Sequence, residues 1–284
     1  MQNLSSLGWR VHDQGDLDFT KLAGDDKVDG RNAINNAKNS TIVGQGCEMI
    51  ADVVGNVIEK GQFPLILGGD HSIGAGSLAG ILRARPNTGV IWVDAHADIN
   101  TPETSESGNM HGMPISFLLQ GMIDPKVIPG FEWLASPEMS AARLNPDSIV
   151  YVGLRDVDTM ERQMIREKNI KAFTMYDIDK YGIGKVMDLA LAHLLDKDQD
   201  RPIHLSYDID AVDPIHAPAT GTAVRGGLTY REAHFVAEAV AMSGSLASVE
   251  MVELNPTLSD GTGSNDTIEL GLGLITSLMG KSII

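Results

Sequence analysis

The stretch VIWVDAHAD, residues 90–98, joins four apolar residues to two aspartates and a histidine. Two other stretches have the same form: FPLILGGDHS, residues 63–72, and IHLSYDIDAVDP, residues 203–214. Short apolar runs with boundaries of this kind are typical of buried strands. Aspartate follows each run closely, with histidine beside it in the first two stretches, so each stretch predicts a buried strand that ends in chemically active side chains.

Strand-like and helix-like segments alternate along the rest of the chain. Apolar runs predict strands at residues 9–12, 63–67, 90–93, 148–153, 171–174, 203–207 and 246–252. Helical spacing of apolar residues predicts helices at residues 32–60, 73–83, 159–168, 180–195, 230–242 and 267–279. This alternation predicts an α/β fold with a mostly parallel sheet covered by helices on both faces. No stretch resembles a linker, so we expect a single domain over residues 1–284.

Composition argues against several classes of function. The 284 residues are 43% hydrophobic and include no uncharged run long enough to span a membrane, so we expect a soluble protein without a membrane partner. The net charge is −16, which argues against nucleic acid as a partner and favours a cationic substrate. The single cysteine, Cys47, rules out an internal disulfide. Residues 1–9 lack the pattern of a signal or transit peptide, so a cytoplasmic location is expected.

The acidic motifs predict a metal site. Alternate residues of an extended chain point the same way, so Asp94, His96 and Asp98 can converge, as can Asp208 and Asp210. Ligands of parallel α/β sheets bind at the carboxyl ends of the strands, where all three motifs are expected. The six candidate ligands are His71, Asp94, His96, Asp98, Asp208 and Asp210. Because burying so many like charges is prohibitive without cations, six such groups suit two divalent ions.

The donor types narrow the choice of metal and of reaction. A site rich in oxygen, with some imidazole and no thiolate, favours Mn²⁺ over structural zinc, with Fe²⁺, Co²⁺ or Ni²⁺ as substitutes. Two such ions bridged by shared carboxylates generate a hydroxide near neutral pH. The sequence therefore predicts two Mn²⁺ ions per chain and a hydrolytic reaction.

A competing pattern lies in GAGSLA, residues 74–79, which matches the dinucleotide-binding fingerprint with Asp94 twenty residues beyond its first glycine. That fingerprint needs its first glycine in the tight turn directly after a strand, and here residues 69–73 intervene. We therefore expect the small residues at 74, 76 and 79 to let a helix pack close to the sheet instead.

The three motifs together resemble those of the arginase (ureohydrolase) family: GGDHS at 68–72, DAHADIN at 94–100 and SYDIDAVDP at 206–214. The resemblance covers nearly the whole chain and implies a binuclear manganese hydrolase of guanidino compounds on a three-layer α/β/α sandwich. It assigns one ion to His71, Asp94, Asp98 and Asp208. It assigns the other to Asp94, His96, Asp208 and Asp210, so that Asp94 and Asp208 bridge the pair.

The same resemblance indicates arginase rather than agmatinase, and hence L-arginine as the substrate. Asn100, Ser105, Ser107 and Asn109 match the loop that reads the α-carboxylate of arginine, although position 105 more often carries threonine. Asp156, Asp158 and Glu161 match the acidic set that faces the α-amino group. Agmatine has no α-carboxylate to read. Taken without the resemblance, these segments would be an ordinary polar turn and an acidic helix N-terminus.

Three further residues receive roles from the resemblance alone. His111 resembles the histidine that shuttles protons, and Glu253 resembles the glutamate that orients the guanidinium group. Thr222 matches a hydroxyl near the substrate. The implied reaction is attack of a metal-bridging hydroxide on the guanidinium carbon, with Asp98 and His111 as proton carriers, to give ornithine and urea.

The resemblance also implies a homotrimer. Family members open with an additional strand, turn and helix before the segment at Trp9, so we expect a sheet that lacks a strand. Two alternatives stay open: a ureohydrolase for another guanidino compound, such as agmatine or guanidinobutyrate, and a metal-binding relative without catalytic activity.

Overall fold

A parallel sheet of six strands forms the centre of the described part of the chain. The computed structural model describes residues 2–22, 36–139 and 142–282. The strands are β1 (Leu65–Leu67), β2 (Gly89–Val93), β3 (Ile149–Leu154), β4 (Lys171–Thr174), β5 (Ile203–Asp208) and β6 (Leu246–Val252). They lie in the order β1-β6-β5-β2-β3-β4, and every neighbouring pair is parallel. The expected α/β fold with a parallel sheet is confirmed.

Helices cover both faces of this sheet. They are α1 (Gln2–Ser6), α2 (Ser40–Glu59), α3 (Gly74–Ala84), α4 (Pro114–Leu118), α5 (Thr159–Glu167), α6 (Met175–Tyr181), α7 (Ile183–Leu195), α8 (Tyr230–Met242) and α9 (Gly261–Leu278). Side chains of β2 alternate between the faces: Ile91 and Val93 pack with α7, α8 and α9, and Val90 and Trp92 pack with α2, α3 and α4. All five residues of β2 are buried, as expected for a central parallel strand.

The strand order places a topological switch point between β2 and β5. From β2 the chain continues outward through β3 and β4, and it then returns to the other side of β2 as β5. Crevices at such points, beyond the carboxyl ends of the strands, are where open α/β sheets bind ligands. The acidic stretches at 94–98 and 208–210 follow β2 and β5, so the fold brings them to this crevice.

The predicted strand at residues 9–12 is wrong. The edge strand β1 pairs only with β6 among the described residues, and residues 9–12 form no strand. The Trp9 indole instead donates to the carbonyl of Met279 over 2.8 Å and contacts the ring of Phe63. Its indole N–H thus binds the end of α9 and its ring packs on Phe63, contacts that no local pattern encodes.

Three predicted helices differ from the observed ones by more than one residue at an end. Of the helix predicted at 32–60, residues 32–35 lie outside the described residues, and α2 begins at Ser40. The segment predicted at 180–195 spans the break between α6 and α7, where Gly182 adopts a φ of 78°. A side chain rarely tolerates that angle, so glycine ends one helix there and starts the next. The helix predicted at 267–279 begins earlier, at Gly261, with Asp260 as its cap.

Small residues in GAGSLA pack α3 against its neighbours, and no dinucleotide turn forms. A Cβ at Gly74 would lie 3.0 Å from the Trp92 ring on the sheet. A Cβ at Gly76 would lie 2.5 Å from the carbonyl oxygen of Cys47 on α2. The expected close approach to the sheet therefore holds at residue 74, whereas residue 76 serves helix contact. Within the described residues no helix is both long and apolar enough to cross a bilayer.

Candidate metal centre and active site

Each acidic motif folds into a tight turn directly after its strand. The carboxylate of Asp94 accepts the backbone N–H of His96 over 2.7 Å, and that of Asp208 accepts the N–H of Asp210 over 2.7 Å. Aspartates commonly cap turns in this way. The local bond turns the second residue of each pair toward the first, so both side chains point into one crevice. His71 enters from a third turn, at the end of β1.

His71 lies at the centre of the first cluster. Its Nδ1 atom is 3.0 Å from Asp94 Oδ2, 3.1 Å from Asp98 Oδ2 and 3.1 Å from Asp208 Oδ2. This nitrogen is buried and makes no well-oriented hydrogen bond with any of the three. A nitrogen surrounded by carboxylate oxygens but unpaired fits a cation bound between them.

His96 organises the second cluster. Its Nδ1 atom lies 3.1 Å from Asp210 Oδ2 and 3.4 Å from Asp94 Oδ1. Asp94 belongs to both clusters, because His71, Asp94 and Asp208 form one possible ligand set and Asp94, His96 and Asp210 form the other. Five of the six candidate ligands thus fall into two sets that share Asp94, and the sixth, Asp98, lies 3.1 Å from His71 Nδ1.

The clustered charges oppose one another without cations. Burial and then the negative charge of Asp94 raise the pKa of Asp98 to about 8. Burial, followed by the charges of Asp210 and Asp94, raises the pKa of Asp208 well above its usual range. Burial alone would lower the pKa of His71, but the three carboxylates beside it raise that pKa well above neutrality. Such a site holds protons where cations would otherwise sit.

The donor chemistry also fits divalent cations with a preference for oxygen. The ligand sets consist of carboxylates and imidazoles, which suit Mn²⁺ better than a structural zinc. Cys47 is buried on α2, and its thiol contacts the carbonyl of Ser72. It therefore belongs to neither ligand set.

Of the four non-glycine residues with left-handed backbone angles in the described ranges, two are proposed catalytic residues. Asp98 has a φ of 51° and Glu253 has a φ of 61°. Left-handed angles are rare for such residues and persist where surrounding structure enforces them. The Glu253 backbone N–H donates to Gly69 over 2.9 Å, and its Oε1 accepts the His71 backbone N–H over 2.8 Å. Glu253, beyond the end of β6, is thereby fixed beside the turn that carries His71.

A cavity opens above the two clusters and collects most of the predicted site residues. It is lined by His71, His96, Asp98, Asn100, Ser105, Ser107, His111, Asp156, Asp158, Glu161, Asp208, Thr222 and Glu253, together with Gly112. Asp94 and Asp210 lie buried beneath it, where Asp210 Oδ2 accepts the hydroxyl of Thr222 over 3.0 Å. Asn109 does not line the cavity and contacts Lys38 instead.

The loop after β2 presents hydrogen-bond donors to this cavity. The hydroxyl oxygen of Ser105 accepts the backbone N–H of Gly108 over 2.9 Å. That of Ser107 accepts the backbone N–H of Asn109 over 3.2 Å. The two hydroxyl oxygens lie 3.5 Å apart, so at most one of them donates to the other and at least one hydrogen is left for an acceptor in the cavity.

Across the cavity, the start of α5 presents carboxylates. Asp158 caps this helix, and Glu161 accepts the backbone N–H groups of Asp158 at 3.0 Å and Ile99 at 3.1 Å. Burial raises the pKa of Glu161 to about 7. Asp156 is largely exposed at the rim, 4.0 Å from His96. One wall of the cavity thus suits an anion and the opposite wall suits a cation.

Sequence reasoning missed three residues that support the ligands. Trp92 stacks on His71 at 4.0 Å and donates its indole N–H to Asp94 Oδ2 over 3.0 Å. The hydroxyl of Ser206 lies 2.8 Å from His71 Nε2. Trp92 and Ser206 each precede an aspartate ligand by two residues, so alternation along the strand could have revealed both.

Arg155 is the third missed residue, and no local sequence pattern indicates its role. Its guanidinium donates to the carbonyls of Asp210 at 2.6 Å, Ala211 at 3.1 Å and Val224 at 2.8 Å. One side chain thus ties the turn that carries Asp210 to a loop distant in sequence. Only the folded chain brings these carbonyls together.

Comparison with known proteins relates this chain to arginases. The sequence profile of the arginase family matches residues 2–280. The chain is 43% identical to the arginase of Glaciozyma antarctica, covering 100% of this chain and 80% of that protein. It is 46% identical to the arginase of Neurospora crassa, covering 98% of this chain and 76% of that protein. The crystal structure of Bacillus subtilis arginase superposes with a TM-score of 0.85 at 39% identity, covering 100% of this chain and 89% of that one.

Proposed function

The chain belongs to the arginase family, and from this premise we propose that its cavity binds L-arginine and hydrolyses it to L-ornithine and urea. One observation carries the proposal: a single cavity joins two overlapping sets of metal ligands to one wall of donors and one wall of carboxylates. The guanidinium group of arginine suits the metal ligand sets. Its α-carboxylate suits the wall of donors, and its α-ammonium group suits the wall of carboxylates.

Glu253 is placed to hold the guanidinium group. A carboxylate matches the planar fork of a guanidinium with two parallel hydrogen bonds. One oxygen of Glu253 already accepts the His71 backbone N–H, so the group is oriented before substrate enters. Burial raises the pKa of Glu253, and a bound guanidinium would counter that effect by favouring the ionised form.

We infer two Mn²⁺ ions per chain. His71, Asp94, Asp98 and Asp208 would hold one, and Asp94, His96, Asp208 and Asp210 would hold the other. When bound, such a pair lowers the pKa of a shared water and supplies hydroxide near neutral pH. The support is the unpaired Nδ1 of His71 among three carboxylates, with a donor set free of thiolate.

Asp98 and His111 are the proposed proton carriers. Hydrolysis takes a proton from water and delivers it to the amine that leaves as ornithine. Both residues line the cavity, and Asp98 Oδ2 lies 3.1 Å from His71 Nδ1. An imidazole can accept a proton and return it within one catalytic cycle.

The two walls select the amino-acid end of the substrate. The donors of Asn100, Ser105 and Ser107 suit the α-carboxylate, and Asn109 supports that wall from outside the cavity. The carboxylates of Asp156, Asp158 and Glu161 suit the α-ammonium group. Agmatine lacks the α-carboxylate, so the donor wall favours arginine. Thr222 holds Asp210 in place at the floor.

Two further proposals are a homotrimer, which the family implies, and a cytoplasmic location, which we expect from the pattern of residues 1–9. Sedimentation analysis of the metal-loaded protein would test the first, with a mass of three chains as the expected result. Cell fractionation would test the second.

Urea release from protein preincubated with Mn²⁺ or with EDTA tests the main proposal, with arginine and agmatine offered in parallel. We expect manganese-dependent urea from arginine and little from agmatine. Preference for agmatine would support another ureohydrolase. If folded protein that holds two ions per chain releases no urea from either substrate, the result would support a metal-binding relative without catalytic activity.

A further inference from the structure

A short segment before α2 is clamped to the donor wall of the cavity. The backbone N–H of Lys38 donates to the carbonyl of Gly108 over 2.8 Å, and the side-chain amide of Asn36 donates to the carbonyl of Ser105. Gly108 has a φ of 73°, and a Cβ there would lie 2.4 Å from Asn36 Oδ1. The contact is therefore close enough to set where the Lys38 side chain goes.

That side chain reaches the loop from behind. The Lys38 ammonium lies 3.3 Å from Asn109 Oδ1. An ammonium only donates, so the amide oxygen of Asn109 faces Lys38 and its two N–H donors face away from it. Ser105 and Ser107 line the cavity with their hydroxyl groups, so the loop offers donors to the cavity and receives a positive charge from Lys38.

A positive charge at this place is unusual for the molecule. The chain carries a net charge of −16, and the cavity is lined by carboxylates at Asp98, Asp156 and Glu253 among others. In the described ranges, Lys38 is the basic side chain that hydrogen-bonds to residues 100–109. It is half-buried, which reduces the screening of its charge by water.

We propose that Lys38 is a specificity-determining residue, which attracts the α-carboxylate of the substrate through the donor loop and so favours amino acids over their decarboxylated analogues. This inference rests on the proposed function of the same cavity. Lys38 lies behind the loop, so its effect is electrostatic, together with the fixed orientation of the Asn109 amide.

The test compares Lys38→Met with Lys38→Arg and with Lys185→Met in the Mn²⁺-loaded protein. Lys185 is exposed on α7, and its substitution changes the net charge by the same amount. The readouts are KM and kcat for arginine and inhibition constants for L-ornithine and putrescine, which differ by the α-carboxylate. Circular dichroism and Mn²⁺ affinity establish that each variant is folded and loaded.

For Lys38→Met, we expect KM for arginine and the inhibition constant of ornithine to rise about threefold to tenfold, as for loss of one partly screened charge. The kcat and the inhibition constant of putrescine should stay within about twofold, since neither depends on a carboxylate. Lys38→Arg should keep the wild-type values, and Lys185→Met should change none of them.

Unchanged ornithine inhibition in Lys38→Met, or equal weakening of ornithine and putrescine, would overturn the role of Lys38. Unchanged ornithine inhibition would mean that the charge of Lys38 does not affect carboxylate binding. Equal weakening of both inhibitors would mean that Lys38 only supports the structure of the loop. A wild-type protein that releases no urea from arginine would instead overturn the proposed function, so the two failures are distinguishable.

Discussion

The side-chain amide of Asn100 donates a hydrogen bond of 2.9 Å to Asp158 Oδ2. Asn100 follows β2 and Asp158 caps α5 beyond β3, so this bond closes the cavity between the donor wall and the carboxylate wall. The Asn100 Oδ1 atom accepts the Thr104 hydroxyl over 2.9 Å, which fixes the orientation of the amide. The residues proposed to bind the two ends of an amino-acid substrate thus position one another.

Substitution of Asp158 by asparagine or alanine should weaken arginine binding selectively. Loss of a charged partner for the α-ammonium is expected to raise KM by about 10- to 100-fold. Mn²⁺ affinity, measured by titration calorimetry, should change little because Asp158 belongs to neither ligand set. Asparagine keeps an oxygen that can cap α5, so the Asp158→Asn variant tests loss of the charge without loss of the helix cap. Equal loss of substrate and metal binding would rule out the assignment to the amino group.

Mn²⁺ binding should release protons and weaken as the pH falls. In the metal-free protein the carboxylates around His71 raise its pKa well above neutrality despite burial, and the pKa of Asp98 is raised to about 8. Both groups therefore hold protons at neutral pH that a cation must displace. Calorimetry in buffers of different ionisation enthalpy from pH 6 to pH 8 measures the release. Affinity independent of pH would contradict this account.

Glu161 should make arginine binding depend on pH. Its pKa is raised to about 7 by burial, so the charged fraction grows from roughly one tenth at pH 6 to roughly nine tenths at pH 8. The carboxylate attracts the α-ammonium only when ionised, so KM should fall as the pH rises. Glu161→Gln keeps a hydrogen-bond acceptor without the charge and should show a higher, flatter KM profile. If KM depends on pH in the same way in both proteins at saturating Mn²⁺, Glu161 is not the source of that dependence.

His111→Asn should lower kcat by about 100-fold or more, the usual contribution of a proton carrier. KM and Mn²⁺ affinity should change little, since His111 lies in the cavity wall and outside both ligand sets. Added imidazole should restore part of the rate. His12→Asn, at an exposed position, is the matched control. A rise in KM with unchanged kcat would assign His111 to binding instead.

Arg155→Lys should weaken Mn²⁺ binding. Lysine cannot reproduce the fork that holds the carbonyls of Asp210 and Ala211, and loss of such support typically costs about 10- to 100-fold in metal affinity. Arg201→Lys provides the control, because Arg201 also donates to backbone carbonyls, at Asn87 and Leu194.

The control arginine lies before the opposite end of β5, away from the metal ligands. Both substitutions should lower the melting temperature, but only Arg155→Lys should change Mn²⁺ affinity. Equal Mn²⁺ affinity in the two variants would reduce Arg155 to a purely structural residue.

The sequence alone predicted the buried strands with their acidic ends and the parallel sheet, and it led us to propose the six ligands. Such features are predictable because they are local. An apolar run indicates a strand, and alternate residues at its end must share one side. Trp92 and Ser206 obey the same rule, so they could have been found beside Asp94 and Asp208.

Tertiary structure alone decided the rest. Trp9 docks against Met279, Arg155 joins the turn at 210 to the loop at 224, and Lys38 sits behind Asn109. The left-handed angles of Asp98 and Glu253 likewise appear only in the folded chain. These relationships pair residues far apart in sequence, and strand order and packing determine which distant segments meet. Local patterns report how a segment can bury its apolar side chains, whereas contacts between segments depend on the whole chain folding at once.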